Sequence, residues 1–350
     1  MWPDRRLLEL FKIELPIVQA PVAGAMDCEL TIAAAQAGAL GSLPCAMLNA
    51  DQVREQMGKI RARTSAPINL NFFCHRPPAL NNAREARWRD KLAPYYRELA
   101  IDPAAPVPSS NRTAFDAAMC DAVEETKPAV VSFHFGLPEE RLLQRLKSGG
   151  FLVMSSATTA AEARWLEQHG VDAVIAQGNE AGGHRGMFLT DDIATQAGTF
   201  ALVPQVVDAV KVPVIAAGGI TDARGIAAAF ALGAAGVQLG TAYLWCPEAK
   251  ISAPHRSALR AARDDGTAVT NLMTGRPARG FVNRVMRELG PISAAAPAFP
   301  LASAAIAPLR THAESTGSGD FSPLWSGQNP SGCQEMPAAA LTRELAALLR

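Results

Sequence analysis

Two histidines follow hydrophobic segments typical of buried strands, and each could move a proton. His184 ends the glycine-rich segment Gln177-Gly178-Asn179-Glu180-Ala181-Gly182-Gly183-His184, and His134 follows Ser132-Phe133. Glycines let a backbone come close to a planar ligand, and imidazole is the commonest general base because its pKa lies near neutral pH. We therefore predict His184 as the first candidate catalytic base and His134 as the second. The alternative for each is a structural histidine that bonds a loop carbonyl.

Two glycine-containing turns indicate a phosphate site. Gly218 and Gly219 follow one predicted strand, and Gly240-Thr241 follows Gln238-Leu239 at the end of the next. Where such turns end adjacent parallel strands, glycine lets backbone N–H groups approach an anion, and the start of the following helix favours negative charge. A phosphorylated ligand is therefore predicted. The alternative is that these glycines only permit tight turns and close packing.

Further strand ends offer contacts for a flat ring, but no metal ligands. Asn71 presents an amide donor and acceptor that could bond the edge of a heterocycle, and Ala20, Pro21 and Val22 form a small, nearly apolar surface. No lysine stands at a predicted strand end, which argues against Schiff-base chemistry. No carboxylate cluster or HxH pair occurs, and the six cysteines have no CxxC spacing, so we expect no metal site.

Eight short apolar segments alternate with helical patterns, and these elements must position the candidate residues. Such alternation is typical of a parallel sheet covered by helices, and eight strands close a (β/α)8 TIM barrel. An open doubly wound sheet is the alternative, but it usually shows fewer strands and a GxGxxG after the first. The predicted strands are Ile17–Ala20, Leu40–Leu43, Ile68–Phe72, Ala129–Phe133, Phe151–Met154, Ala173–Ala176, Pro213–Ala216 and Gly236–Leu239.

Two stretches do not fit the repeat and are predicted to form a smaller, mostly helical cap. They are residues 75–126, an insertion after the third strand, and residues 251–330. Insertions after barrel strands emerge at the face where barrel active sites lie. We predict that residues 1–74 and 127–250 form the barrel and that a helix within 331–350 packs back on it. Surface decoration or an oligomer contact is the alternative for the two stretches.

Composition narrows the class of partner. The chain has 350 residues, 49% of them hydrophobic, and its 33 basic and 33 acidic residues give a net charge of zero. Nucleic acids and anionic membranes attract basic proteins, so neither is an expected partner. The first residues are too charged for a signal peptide, and no apolar run is long enough to span a membrane. We predict a cytoplasmic protein that binds a small molecule.

Taken together, these motifs resemble the nitronate monooxygenase family, formerly called 2-nitropropane dioxygenases. The resemblance covers most of residues 13–285, and its most specific element is Glu180-Ala181-Gly182-Gly183-His184 in register with the two glycine turns. It implies an FMN-dependent TIM barrel that uses O2 to convert nitronates or nitroalkanes into a carbonyl compound and nitrite. His184 would remove the proton α to the nitro group, or orient an ionised nitronate, and no metal is needed.

The resemblance also implies which residues hold FMN. Gly219 and Gln238–Thr241 would lie at its phosphate, and Asn71, Gln177 and Gly182 elsewhere along it. The complete predicted cofactor-binding set is Ala20, Pro21, Val22, Asn71, Gln177, Gly182, Gly183, Gly218, Gly219, Gln238, Leu239, Gly240, Thr241 and Gln328. The expected partners are a small organic substrate and O2, and a homodimer is left open.

The chain departs from the family pattern near its C terminus. Members that act on propionate 3-nitronate typically carry tyrosines and a lysine near a Gly-Gln motif, but here Trp325 replaces the tyrosine and no lysine follows Lys250. Val22 also stands where methionine is common. Arg276, Arg279 or a cap residue such as Arg84 is a substitute cation for a carboxylate-bearing substrate.

Two other functions remain open at the level of the sequence. One is an FMN-dependent NAD(P)H reductase of the enoyl-acyl-carrier-protein or quinone type, which shares the phosphate turns and uses the flavin as a hydride relay. The other is a non-catalytic barrel that binds a phosphorylated ligand.

Overall fold

The structure is a computed structural model that describes residues 2–103 and 112–347. Within these residues the strands are β1 (Ile17–Gln19), β2 (Gly41–Pro44), β3 (Ile68–Phe73), β4 (Val130–His134), β5 (Leu152–Ala157), β6 (Ala173–Gln177), β7 (Gly183–His184), β8 (Val214–Ala217), β9 (Gly236–Leu239), β10 (Thr267–Thr270) and β11 (Ala278–Phe281).

The helices of the same residues are α1 (Arg6–Phe11), α2 (Cys28–Gln36), α3 (Ala50–Arg61), α4 (Asn82–Glu98), α5 (Ala117–Thr126), α6 (Glu140–Ser148), α7 (Ala160–Gln168), α8 (Thr199–Ala209), α9 (Ala223–Ala231), α10 (Thr241–Leu244), α11 (Ala253–Arg260), α12 (Arg284–Leu289), α13 (Ala302–Ser315) and α14 (Ala338–Ala347). None of these helices has both the length and the apolar character that crossing a membrane requires.

Eight parallel strands form the barrel and confirm the fold predicted from the sequence. Their order is β1-β9-β8-β6-β5-β4-β3-β2, and a parallel bridge between Val18 and Leu40 joins β1 to the start of β2 and so closes the ring. The strands are buried along almost their whole length, as expected where helices cover a parallel sheet. Their carboxyl ends therefore meet on one face of the barrel.

The opposite, amino-terminal end of the barrel is closed by α1. Leu7, Leu8 and Phe11 of this helix are buried in one hydrophobic cluster with barrel residues such as Val18 and Ile215. Such a cluster keeps water out of the amino-terminal half of the barrel interior. Among the described residues, the open end of the barrel is therefore the one at the carboxyl ends of the strands, which is the usual arrangement of TIM barrels.

A second hydrophobic cluster lies outside the barrel and joins both stretches that the sequence assigns to the cap. Trp88 and Tyr96 of α4 are buried with residues of α13. The Trp88 indole N–H donates to the carbonyl of Ala302 (3.2 Å), and the Tyr96 hydroxyl donates to that of Ala305 (2.6 Å). Segments more than 200 residues apart thus share one small core.

The boundary of the predicted cap differs in one place. Residues 117–126 form α5, and Met119, Cys120 and Val123 are buried in the main barrel core. The helix directly precedes β4 and presents an apolar face to the sheet, so it serves as the covering helix between β3 and β4. We therefore propose a cap boundary near residue 116 instead of 126. At the other end of the chain, Leu341 and Leu345 of α14 also lie in the main core.

A three-stranded sheet links the barrel mouth to the segment that follows the barrel. The strands run in the order β10-β11-β7, with His184 opposite Ala278 and Gly183 opposite Arg279 in antiparallel register. The short strand β7 is too small to be stable by itself. The backbone position of His184 is therefore set by β11.

Candidate active site

A cavity opens at the carboxyl ends of the barrel strands. With the open space at its mouth included, its volume is about 1250 Å³. Of the residues predicted from the sequence, those that line it are His134, His184, Ala20, Pro21, Val22, Asn71, Gln177, Gly182, Gly183, Gly218, Gly219, Gln238, Gly240 and Thr241. The structure therefore brings together residues drawn from separate strand ends and turns around the barrel.

Two predicted cofactor contacts lie elsewhere. Leu239 is fully buried in the barrel core, because successive side chains of a strand point to opposite faces and its neighbour Gln238 faces the cavity. The Gln328 side chain is exposed, and its backbone N–H donates to the carbonyl of Glu180 (3.0 Å). Asn329 lines the cavity in its place and donates to the Gly219 carbonyl (3.2 Å).

One end of the cavity is built from backbone. Gly218 and Gly219 have φ of 117° and 71°, a region that favours glycine. A Cβ on Gly218 would lie 2.8 Å from Thr199 Oγ1 and 3.0 Å from the Ala181 nitrogen. Within the described residues, the N–H groups of Gly218, Gly219 and Gly240 donate no hydrogen bond. Unpaired N–H groups that converge on a cavity suit an anion.

The wall of the cavity holds amides with unused hydrogen-bonding atoms. Gln238 Oε1 is buried and has no partner among the described residues, which costs about 1–3 kcal/mol if no ligand compensates. Asn71 Nδ2 donates to Ser132 Oγ (2.9 Å), so the Asn71 side-chain oxygen is the atom left for a ligand. A ligand that presents N–H or O–H donors to this wall would satisfy both oxygens.

His184 lies at the other end of the cavity, among aromatic rings. Its Nε2 is 2.9 Å from the hydroxyl of Thr274, and its ring centre is 5.3 Å from that of Phe299, 5.5 Å from Trp325 and 6.0 Å from Phe73. Burial lowers the pKa of His184 well below its usual value, and the nearby charge of Arg112 lowers it further. The imidazole is therefore neutral near pH 7.

His134 has a hydrogen-bond partner at each ring nitrogen, and one of them is the backbone of His184. Its Nε2 lies 3.1 Å from the carbonyl of His184, and its Nδ1 lies 3.0 Å from the hydroxyl of Ser156. Because a carbonyl can only accept, Nε2 carries the proton and Nδ1 accepts from Ser156. Burial lowers the pKa of His134 to about 3, so the ring stays neutral. Gln177 Nε2 also donates to the same carbonyl (2.9 Å).

Two buried charged residues fix the loop around His184, and the sequence gives no signal for either. The Arg185 guanidinium donates to the carbonyls of Gly178 (2.8 Å) and Gln177 (2.7 Å), and burial lowers its pKa to about 10. The Glu162 carboxylate accepts from the backbone N–H of Phe188 (2.6 Å). Both residues hold backbone, so they act on the site only through its shape.

The cations suggested by the sequence do not reach the cavity, and a different one does. Arg276 stacks over the Phe135 ring at 4.1 Å and donates to the carbonyl of Met187. Arg279 donates to the carbonyl of Asn179 (2.8 Å). Neither they nor Arg84 line the cavity, whereas Arg112 does. Arg112 belongs to the long insertion after β3 and follows no strand directly, so a search of strand ends misses it.

A family model and two similar proteins indicate the same family. A family model described as nitronate monooxygenase matches residues 4–347. A protein named nitronate monooxygenase from Paraburkholderia phytofirmans is 42% identical over 97% of this chain and 94% of its own length. One of the same name from Pseudomonas aeruginosa is 40% identical over 99% of both chains.

Solved structures are similar over the whole chain as well. A nitroalkane oxidase from Streptomyces ansochromogenes superposes with a TM-score of 0.89 at 37% identity and covers 98% of this chain and 97% of its own. FabK from Thermotoga maritima superposes with a TM-score of 0.74 at 27% identity and covers 99% of this chain and 96% of its own. The first is the nearer of the two in both fold and sequence.

Proposed function

The chain belongs to the nitronate monooxygenase family, and from that premise we propose that it oxidises nitronates with O2 to a carbonyl compound and nitrite. Two nitronates and one O2 give two carbonyl compounds and two nitrites, because each nitronate takes up one oxygen atom as its carbon–nitrogen bond breaks. The observation that carries the proposal is the neutral imidazole of His184, held by Thr274 at the end of a cavity whose other end suits a phosphate. Nitroalkanes enter the same reaction after losing a proton.

FMN fits the residues of the cavity. Its phosphate would accept from the unpaired N–H groups of Gly218, Gly219 and Gly240. The single ring N–H of oxidised FMN and the hydroxyls of its ribityl chain are the donors from which the unused oxygens of Gln238 and Asn71 would accept. When bound, FMN supplies the electron transfer and the reaction with O2 that no side chain of the cavity can provide.

His184 is the group that handles the substrate's proton. Thr274 engages Nε2, which leaves Nδ1 as the nitrogen that accepts a proton. Burial and the charge of Arg112 both disfavour the imidazolium, so His184 is a ready but weak acceptor. A nitronate arrives already ionised, so a weak base is sufficient for its oxidation. A nitroalkane must first lose a proton from carbon, and a weak base removes that proton slowly.

An anaerobic experiment tests this function against the reductase alternative. Purified protein loaded with FMN is mixed with ethyl nitronate or with NADH, and the flavin absorbance is followed before O2 is admitted. We expect ethyl nitronate to change the flavin spectrum and O2 to yield nitrite. Rapid bleaching by NADH, with no response to ethyl nitronate, would favour the reductase. Folded protein that binds no FMN would favour a non-catalytic barrel.

The location, the type of substrate and the oligomeric state are also part of this proposal. We infer that the enzyme works in the cytoplasm on a small organic substrate. Size-exclusion chromatography coupled to light scattering distinguishes a monomer from a homodimer. The net charge of zero supports a partner that is neither nucleic acid nor membrane.

A further inference from the structure

Arg112 gives the cavity a single electrostatic sign. Among the described residues that line it, Arg112 alone carries a fixed charge, since no aspartate, glutamate or lysine is present there. A charge that is partly withdrawn from water acts more strongly on a bound ligand than the same charge in solvent. The cavity is therefore complementary to an anion.

Arg112 acts at the reaction end of the cavity. Its charge lowers the pKa of His184 and also that of His75, so it lies within electrostatic reach of both rings. His75 is buried against Phe299, with ring centres 4.8 Å apart, and its Nδ1 has no partner among the described residues. Aromatic rings and two neutral imidazoles thus lie at the end of the cavity on which the Arg112 charge acts.

The chemistry of a guanidinium identifies the ligand group. Its planar fork of N–H donors matches two oxygens on one atom, as in a carboxylate or an ionised nitro group. Both oxygens of a nitronate carry negative charge, whereas those of a neutral nitroalkane carry only partial charge. Because a guanidinium has five N–H donors, Arg112 can bind such a group while keeping other contacts within the protein.

We propose that Arg112 binds the two nitro oxygens of the ionised substrate and selects nitronates over the neutral nitroalkanes from which they form. The inference rests on the proposed function. His184 and Arg112 then divide the work, since one handles the proton on carbon and the other holds the charge on oxygen.

The test compares Arg112→Gln and Arg112→Lys with Arg97→Gln, a change to an exposed arginine of α4 that does not line the cavity. Steady-state kinetics are measured with ethyl nitronate and nitroethane, and the Kd of nitrite is measured through flavin absorbance without turnover. We expect Arg112→Gln to raise the KM for ethyl nitronate and the Kd of nitrite roughly 10- to 100-fold. The KM for nitroethane and the FMN content should change less than about twofold, within ordinary context dependence.

Arg112→Lys should recover part of the nitrite affinity, because it keeps the charge and loses only the fork. Equal nitrite affinity in wild type and Arg112→Gln would overturn the proposal, as would loss of FMN in the glutamine variant. Propionate 3-nitronate, which also carries a carboxylate, is measured as a third substrate, and an effect of Arg112→Gln confined to it would overturn the assignment to the nitro oxygens. Wild-type protein that consumes no nitronate would overturn the proposed function itself, a result that the nitrite titration alone does not give.

Discussion

The two ends of the cavity are built in different ways. The glycine end, around Gly218, Gly219 and Gly240, offers backbone N–H groups on adjacent strand ends of the barrel. The reaction end offers side chains, among them His184 and Arg112, that come from loops and from segments outside the barrel. One end is fixed by the conformation of a short piece of chain, and the other by the packing of distant pieces.

This difference predicts different responses to mutation. At Gly218 and Gly219, a side chain would strain a backbone of positive φ, and at Gly218 it would also collide with Thr199 and Ala181. At the reaction end, a lost side chain removes one contact and leaves the remaining framework in place. We therefore expect substitutions at the glycine end to weaken cofactor binding, and substitutions at the reaction end to lower the reaction rate.

The largest expected effect is that of Gly218→Val. Valine at this position would have to adopt φ 117°, and its Cβ would lie 2.8 Å from Thr199 Oγ1. The turn must therefore shift, and its N–H groups move with it. We expect FMN content to fall more than about tenfold, together with a loss of about 1–3 kcal/mol of stability. The ratio of flavin to protein absorbance after gel filtration measures the first effect.

Gly170→Val is the matched control. Gly170 also has a positive φ (84°), but no atom lies within 4 Å of its added Cβ, and it follows α7 away from the cavity. It should lose similar stability and keep its FMN. A Gly218→Val protein with full FMN content would show that this turn is not the phosphate site.

His184→Asn should have the next largest effect, on rate. We expect kcat/KM for nitroethane to fall about 10²- to 10⁴-fold because no group is left to accept the proton. For ethyl nitronate, which needs no proton transfer from carbon, the fall should be about tenfold or less on the same grounds. FMN content should stay unchanged. Equal losses on both substrates would mean that His184 positions the substrate and is not its base.

Thr274→Val should have a smaller effect on the same end. The near-isosteric change removes the hydroxyl 2.9 Å from His184 Nε2, and one hydrogen bond of about 1 kcal/mol corresponds to a rate change of roughly fivefold. Without that acceptor the imidazolium is less stable, so the acidic limb of the pH profile for nitroethane should move to lower pH. Thr270→Val, a buried threonine on β10, is the control and should leave the profile unmoved.

The last prediction concerns stability at low pH and not activity. Burial lowers the pKa of His134 to about 3, whereas in an unfolded chain a histidine titrates near 6.5. Between these two pKa values the unfolded chain binds a proton that the folded chain does not bind. The free energy of unfolding therefore falls as the pH drops below about 6.5, by at most about 1.4 kcal/mol per pH unit for this group. His134→Gln should flatten this dependence in urea unfolding between pH 6 and pH 4.

Gln168→Ala is the control for that measurement. Gln168 is an exposed residue at the end of α7, and because its side chain does not titrate, the change should leave the pH dependence of unfolding as it is in the wild type. An unchanged slope in His134→Gln would show that other buried groups, such as His75 and His255 with pKa values near 4, account for the acid sensitivity.

The barrel and the glycine end are predictable from the sequence because both depend on local pattern. All eight predicted strands are present, and the largest difference is in β5, which continues to Ala157 where the apolar run ends at Met154. Ser155 and Ser156 extend it because their hydroxyls find partners on the neighbouring strand, the Phe133 carbonyl (3.1 Å) and His134 Nδ1 (3.0 Å). Serines that are hydrogen-bonded inside a barrel interrupt the apolar run from which a buried strand is predicted.

The reaction end is only partly predictable. His184 carries a recognisable loop, but its partner Thr274 is 90 residues away in the chain, and Arg112 follows no strand directly. The arrangement of His184, Thr274 and Arg112 depends on the hydrophobic core that α4 and α13 share. The sequence periodicity of either helix does not indicate this contact. Arg276 and Arg279 do not line the cavity for a related reason, since each guanidinium points instead at a backbone carbonyl that is distant in the chain.

The pairing of β7 with β11 limits how this enzyme could be recombined with its relatives. A chimera joined between β9 and β10 would receive a foreign β11, and with it a new position for Gly183 and His184, because Ala278 and Arg279 set their register. A junction after Phe281 keeps the native strand and exchanges only the residues beyond it. A chimera intended to change the substrate range while keeping His184 in its native position should therefore be joined after Phe281.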